Sequence, residues 1–149
     1  MTPAEMAKLH AAAFAPERGW SAAEFSDLLA SPHIFCVTRP GGFALVRTVA
    51  DEAELLTLAV SCQNRRRGIA DALMAEWMAS AHAKTAFLEV AADNHAARAL
   101  YARHGFAETG RRDNYYKRPD QSAVDAVLMQ AALTRGQSGI IPPCPSKTG

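Results

Sequence analysis

From Glu54 to Val60 the chain is apolar at nearly every position, without the alternation that a strand with one wet face would show. Such a run is expected of a central strand, covered on both sides. It leads into Ser61-Cys62-Gln63-Asn64, then Arg65-Arg66-Arg67, then Gly68. From Gly68 to Ala83 the pattern is helical: Ile69, Leu73 and Trp77 recur at spacing four, with Ala70, Met74 and Met78 beside them. A buried strand, a short basic loop and a helix opening at a glycine is a demanding combination. A helix N-terminus has unpaired N–H groups and about half a positive charge. Three arginines add to that charge, and a glycine lets the backbone come close to a bulky anion. The segment reads as a pyrophosphate-binding turn. The competing reading is a solvated arginine loop before a helix, and spacing alone leaves both open.

The rest of the chain predicts an α/β (α+β) domain built around that strand. Residues 4–15 read as a helix, with Met6, Leu9, Ala13 and Phe14 near helical spacing, broken by Pro16 and Gly19. A second helix starts at Ser21, with Glu24 as its capping-box partner and Phe25, Leu28 and Leu29 as its apolar face. Strands are expected over 33–38 and 43–49, joined by Pro40-Gly41-Gly42, then over 54–60. After the helix over 68–83 come a strand over 86–91, a helix over 94–104 closed by Gly105, and strands over 106–111 and 125–133. Early hairpins imply antiparallel pairing and the helical crossovers imply at least one parallel pair, so the sheet is mixed. Residues 1–133 form one domain in this reading. The tail over 134–149 holds Pro142, Pro143 and Pro145 with little apolar content, and is expected to lack fixed structure.

A second segment carries chemistry. Glu89 interrupts the apolar strand Leu88-Glu89-Val90-Ala91, where a carboxylate is costly unless paired or functional. The competing reading is a strand-end Glu in a surface salt bridge. Asn94 opens the next helix and is either its N-cap or a ligand contact. Tyr101, on that helix, is either core or functional.

Taken together, these residues resemble the GNAT superfamily of acyl-CoA N-acyltransferases over roughly residues 5–133. Arg65-x-x-Gly68-x-Ala70 matches its signature of Gln or Arg, two residues, Gly, one residue, then Gly or Ala. Glu89, Asn94, Tyr101, Gly105 and Phe106 occupy the pattern of the RimI-type branch, the ribosomal-protein-alanine N-acetyltransferases. Arg112-x-Asn114-Tyr115-Tyr116 and Trp20-Ser21 resemble the same branch. The resemblance implies a mostly antiparallel mixed sheet flanked by helices, and acetyl-CoA as co-substrate. It implies that Arg65, Arg66, Arg67, Gly68, Ile69, Ala70 and Asp71 hold the pyrophosphate, and that the backbone of Leu58, Ala59 and Val60 pairs with the pantetheine arm, Asn94 assisting. It assigns Glu89 as general base and Tyr101 as the acid that protonates the departing thiolate. Trp20, Asn114, Tyr115 and Tyr116 would bind the substrate, a protein N-terminus. The proton cost agrees: freeing an amine at pH 7 takes roughly 1.4 kcal/mol at an α-amine pKa of about 8 and roughly 4.6 at lysine's 10.4. The chain departs from the family twice. The strand that usually precedes the first helix is missing or replaced, and Asp71 puts an acid where a basic or neutral residue is common. That acid either opposes the pyrophosphate or faces away as a first-turn residue.

Other classes fare worse. A net charge of +1 argues against a general nucleic-acid grip, and Arg111, Arg112, Lys117 and Arg118 read as a loop bordering the peptide site rather than an RNA surface. Cys36, Cys62 and Cys144 are odd in number and widely spaced, which points to a reducing compartment without disulfides. The five histidines show no ligand spacing, so no metal is expected. No stretch approaches the ~20 apolar residues of a membrane span, nor does the N-terminus resemble a signal peptide. The expected location is the cytoplasm. Two alternatives stay open: transfer to a small amine or a lysine side chain, and a non-catalytic acyl-CoA-binding or RNA-associated module.

Overall fold

The structure, a computed structural model, describes residues 1–15, 18–65 and 67–133. Two short helices come first. Helix α1 (Pro3–Phe14) opens with a capping box: Thr2 Oγ1 accepts from the Glu5 N–H at 3.1 Å, and the Glu5 carboxylate accepts from the Thr2 N–H at 2.7 Å. Helix α2 (Ala22–Leu29) repeats the device with Ser21 and Glu24, the pair expected from the sequence.

Six strands then form one sheet: β1 (Ile34–Arg39), β2 (Gly42–Val49), β3 (Glu52–Val60), β4 (Thr85–Ala91), β5 (Ala107–Lys117) and β6 (Ala123–Ala132). Their order across the sheet is β1-β2-β3-β4-β6-β5, and only β3 with β4 is parallel. Helix α3 (Ile69–Ser80) links β3 to β4, and α4 (His95–Arg103) links β4 to β5. Helices α1 and α2 cover one face, where Met6 and Phe25 pack with Phe43, Leu45 and Ala59. The main core lies on the other face. There Leu73, Met74 and Trp77, all fully buried, meet Ala44, Val46, Leu88, Val90, Leu100, Tyr101 and Phe106.

Several boundaries shift from the sequence expectation. The helix expected over 68–83 ends at Ser80. Strand β5 runs to Lys117, well past the expected Arg111. Its second half is a polar, exposed edge with no apolar alternation to announce it, and it holds its place by pairing with β6 (Arg112↔Ala126, Tyr116↔Val124). Among the described residues no strand precedes α1, and β1 forms the sheet edge. The tail expected over 134–149 lies outside the described residues.

Candidate active site

The feature that makes a site is a parting of strands. β3 and β4 pair only at Glu52↔Thr85, Ala53↔Ala86 and Glu54↔Phe87. Immediately beyond, the β2–β3 register slips: Val46 faces Leu55 but Leu45 faces Thr57, which leaves Leu56 without a partner. A bulge of this kind bends and twists its strand, and this one falls where β3 leaves β4. From there to Val60 one edge of β3 is unpaired with β4. A cleft of about 660 Å³ occupies the gap, walled by Leu55–Leu58 on one side and Leu88–Ala91 on the other. It reaches Asn94, Leu100 and Tyr101 of the α4 segment, His10, Phe14 and Trp20 of the α1–α2 segment, and Tyr116 of β5.

Of the residues expected to hold a coenzyme, Leu58 and Asn94 line this cleft directly. Ala59 and Val60 continue the same edge, and their side chains are buried. The basic loop lies beyond the end of β3 towards which the strands diverge. Gly68 caps α3 with φ +76°, the left-handed region open to glycine, and a Cβ built there would meet nothing within 4 Å. The glycine therefore serves the turn and leaves open space in front of the helix's free N–H groups. Arg65 ties the loop to its surroundings, its Nε reaching the Val60 carbonyl at 3.4 Å and its guanidinium the Ala13 carbonyl at 3.5 Å. Arg67 is exposed, Ile69 and Ala70 are half-buried, and Arg66 lies outside the described residues. Asp71 faces α4, where it accepts from His104 Nε2 at 2.8 Å and from the Arg103 guanidinium at 3.1 Å. Burial pushes its carboxyl up, but those two partners outweigh burial and hold it below the usual range. Its charge is thus answered within the fold.

Both residues expected to move protons line the cleft, although they belong to different elements. The Glu89 side chain is about a quarter exposed, and Oε2 accepts from Arg112 Nε at 2.7 Å. Tyr101 is buried, packed edge-on to Phe106, and its phenol is pushed up to about 12 by burial and by the neighbouring Tyr116. At neutral pH it keeps its proton, as a donor must. Asn94 caps α4, its Oδ1 accepting from the Ala97 N–H at 3.2 Å, and so combines capping with a place on the cleft wall.

The residues expected at the substrate side divide. Trp20 and Tyr116 line the cleft. Asn114 and Tyr115 do not. Asn114 sits in a bulge of β5 with φ +51°, and its N–H donates to Asp125 Oδ1 at 2.9 Å. Tyr115 is half exposed, with the Arg112 guanidinium 5.6 Å from its ring centre and Tyr116 packed edge-on.

Sequence reasoning missed His10 and Thr57. His10 is 3% exposed and stacks between Phe14 and Trp20. The Trp20 N–H donates to its Nδ1 at 3.1 Å, so the ring proton sits on Nε2 and is donated to Thr57 Oγ1 at 3.0 Å. Burial pushes this histidine down to about 4, the charge of Glu24 opposing and that of Arg18 assisting. It is a neutral pin between the α1–α2 segment and β3. The available signals were a histidine one turn after Met6 on the apolar face of α1 and a threonine breaking the β3 run. Arg112 belongs to a motif and a basic cluster in the sequence, but its pairing with Glu89 is invisible there. Among the described residues no group of three or more His, Cys, Asp or Glu is placed to hold a metal, and no helix is long and apolar enough to cross a membrane.

Comparison with known proteins agrees with this architecture. The family model described as "Acetyltransferase (GNAT) family" matches residues 6–106. N-alpha-acetyltransferase RimI of Mycobacterium tuberculosis is 36% identical over 133 residues, covering 83% of this chain and 82% of the relative. The crystal structure of the ribosomal-protein-S18-alanine N-acetyltransferase from Escherichia coli superposes with a TM-score of 0.77 at 32% identity, over 88% of this chain and 86% of that one. Arabidopsis thaliana NAA60, solved in complex with acetyl-CoA, shares the fold with a TM-score of 0.71 at 22% identity, over 89% and 96% of the two chains. On the family match and the identity to these relatives, the chain belongs to the GNAT acetyltransferase family and is an N-acetyltransferase.

Proposed function

We propose that this enzyme, through a domain spanning residues 1–133, moves an acetyl group from acetyl-CoA to the α-amine of a protein N-terminus, in the cytoplasm, and that the acceptor is an alanine of a ribosomal protein. The observation that carries the reading is the open cleft between the parted strands, whose lining includes Glu89, Tyr101, Tyr116 and Trp20. A cleft of about 660 Å³ suits a peptide better than a small amine. The relatives that act on protein N-termini support the acceptor class.

The residues present fit an acyl-CoA. The unpaired edge of β3 offers main-chain N–H and C=O groups over Leu58–Val60, and the turn at Gly68 leaves room before the α3 N-terminus. When bound, acetyl-CoA supplies its acetyl group as a thioester. The N–H groups of Arg67 to Ala70 would hold the pyrophosphate, with charge from Arg65 and Arg67. The Asn94 amide nitrogen would meet the pantetheine arm, since its oxygen already caps α4. An N–H of the open β3 edge would stabilise negative charge on the carbonyl oxygen. Glu89 accepts the proton of the arriving ammonium, directly or through water, with Oε1, because Oε2 is taken by Arg112. Tyr101 donates its proton to the departing sulfur and recovers one, directly or through water, from the acylated nitrogen, which must shed a second proton to become an amide.

The test is acetyl-CoA turnover on a panel of N-terminal peptides, with polyamines and lysine-containing, N-terminally blocked peptides alongside. N-terminal alanine peptides should give the highest kcat/KM. Preference for polyamines or blocked lysine peptides would replace this reading.

A further inference from the structure

We propose that Arg112 is a positioning residue for acetyl transfer: it fixes the Glu89 carboxylate through one oxygen and leaves the other as the proton acceptor. The proposal rests on reading Glu89 as the base. Its footing is geometric. Glu89 stands on β4 and Arg112 on β5, with β6 between them. Paired residues of an antiparallel ladder share a face, so Glu89↔Leu128, Ala91↔Ala126 and Arg112↔Ala126 put both side chains on one face of the sheet. Between them β6 presents Ala126 opposite Arg112 and Leu128 opposite Glu89, so the arginine spans β6 on a diagonal. The Nε of Arg112 then donates to Oε2 of Glu89 at 2.7 Å.

Arg112 is itself held from behind. The β5–β6 register breaks between Arg112 and Tyr116, and this turns the Tyr115 ring back against the guanidinium at 5.6 Å. A bulge in a strand beside a candidate site re-aims a side chain. Here it backs the arginine that grips the base.

Glu89 also sits where two openings meet. It lines the large cleft with Tyr101, and it lines a shallower groove of about 380 Å³ on the sheet face with Arg112, Arg47, Glu52, Glu54 and Leu128. Other charges surround it. From β2 and β3 come Arg47 and Glu54, paired with each other at 2.6 Å, and Glu52. Arg111 of β5 shares a face with Val127 and Val90, opposite to Glu89, and pairs there with Glu108 and with Asp125 of β6. At the cleft stand Arg118, paired with Asp93 at 2.9 Å, Lys117, Arg18, His10 and the phenols Tyr101 and Tyr116. Arg112 is a cation in hydrogen-bond contact with Glu89. Without it the carboxylate would lose the bond that commits Oε2 and leaves Oε1 to face the ammonium.

The experiment is steady-state kinetics of the full chain at pH 7 on one N-terminal alanine peptide, for wild type, R112Q, R112K, E89Q and the E89Q/R112Q double variant, with kcat and acetyl-CoA KM measured for each. R112Q should lower kcat about 10-fold, within the range of coupling between two side chains in contact. R112K, which restores the charge without the Nε geometry, should recover only part of kcat. Acetyl-CoA KM should stay within about twofold throughout. In the E89Q background R112Q should cost nothing further, the signature of a residue acting through another. A wild-type kcat in R112Q overturns the proposal, and so does an R112Q loss that persists undiminished beside E89Q. If E89Q alone is as active as wild type, the base assignment fails and takes this proposal with it. That outcome is distinct from an impaired E89Q with an unimpaired R112Q, which removes only the role of Arg112.

Discussion

Replacing Glu89 by Gln keeps the shape of the side chain and an oxygen for Arg112 to grip, and removes the proton acceptor. Turnover on an N-terminal alanine peptide should fall by about 10²–10⁴ near pH 7, the usual worth of a general base. The loss should shrink as pH rises past the α-amine pKa of about 8, where the acceptor arrives already deprotonated. Tyr101→Phe should also lower kcat while leaving acetyl-CoA affinity largely intact. A phenol pushed up to about 12 by burial keeps its proton across the assay range, so the loss in this variant should not diminish at high pH. The two profiles side by side are the check. If Glu89→Gln keeps near-wild-type turnover at pH 7, Glu89 is only the partner of Arg112 in a surface ion pair.

At the scale of elements, the join of β3 to α3 does the coenzyme's work in this reading. Gly68 is its sensitive point because its φ of +76° suits no β-branched residue. Gly68→Val adds left-handed strain of ~1–2 kcal/mol, and the open space around the position means nothing in the fold need clash. The folded variant should bind acetyl-CoA at least ~10-fold more weakly, a loss of 1.4 kcal/mol or more, because the branched side chain occupies the approach to the helix N-terminus. Calorimetric titration decides it. Unchanged affinity in a folded Gly68→Val protein would move the pyrophosphate site elsewhere.

Across the whole molecule, His10 makes stability respond to acid. Its folded pKa, about 4, lies below the ordinary 6.5 because the neutral ring is buried. As pH falls through 6.5 the unfolded chain takes up the proton first, so stability is lost progressively from there towards 4. Glu24 works in the same direction lower down. Its hydrogen bonds from Arg18 and from Ser21 hold it at about 2, so its contribution is present above its ordinary 4.5 and fades as pH falls from there towards 2. Thermal melting should therefore drop between pH 7 and pH 5, and His10→Gln should flatten that drop while lowering stability at pH 7. An equal slope in both proteins would show that other groups set the acid response. Because His10 joins the α1–α2 segment to β3, its protonation would loosen the Trp20 wall of the cleft as well.

The sequence by itself determined the elements and their order. Nearly continuous apolarity marked β3 as central, spacing of four marked α3, and Ser21 with Glu24 marked the start of α2, because these signals act between neighbours along the chain. It also exposed Glu89, since a carboxylate in an apolar strand is conspicuous wherever that strand goes. Tertiary structure alone decided the rest. The bulge at Leu56 depends on the register with β2, and with it the parting of β3 from β4 that opens the cleft. The second half of β5 is polar and became a strand only by pairing with β6. The partners of Glu89, Asp71 and His10 come from 23, 33 and 47 positions away. Contacts at that separation are set by how the sheet stacks its strands, and no local pattern encodes them.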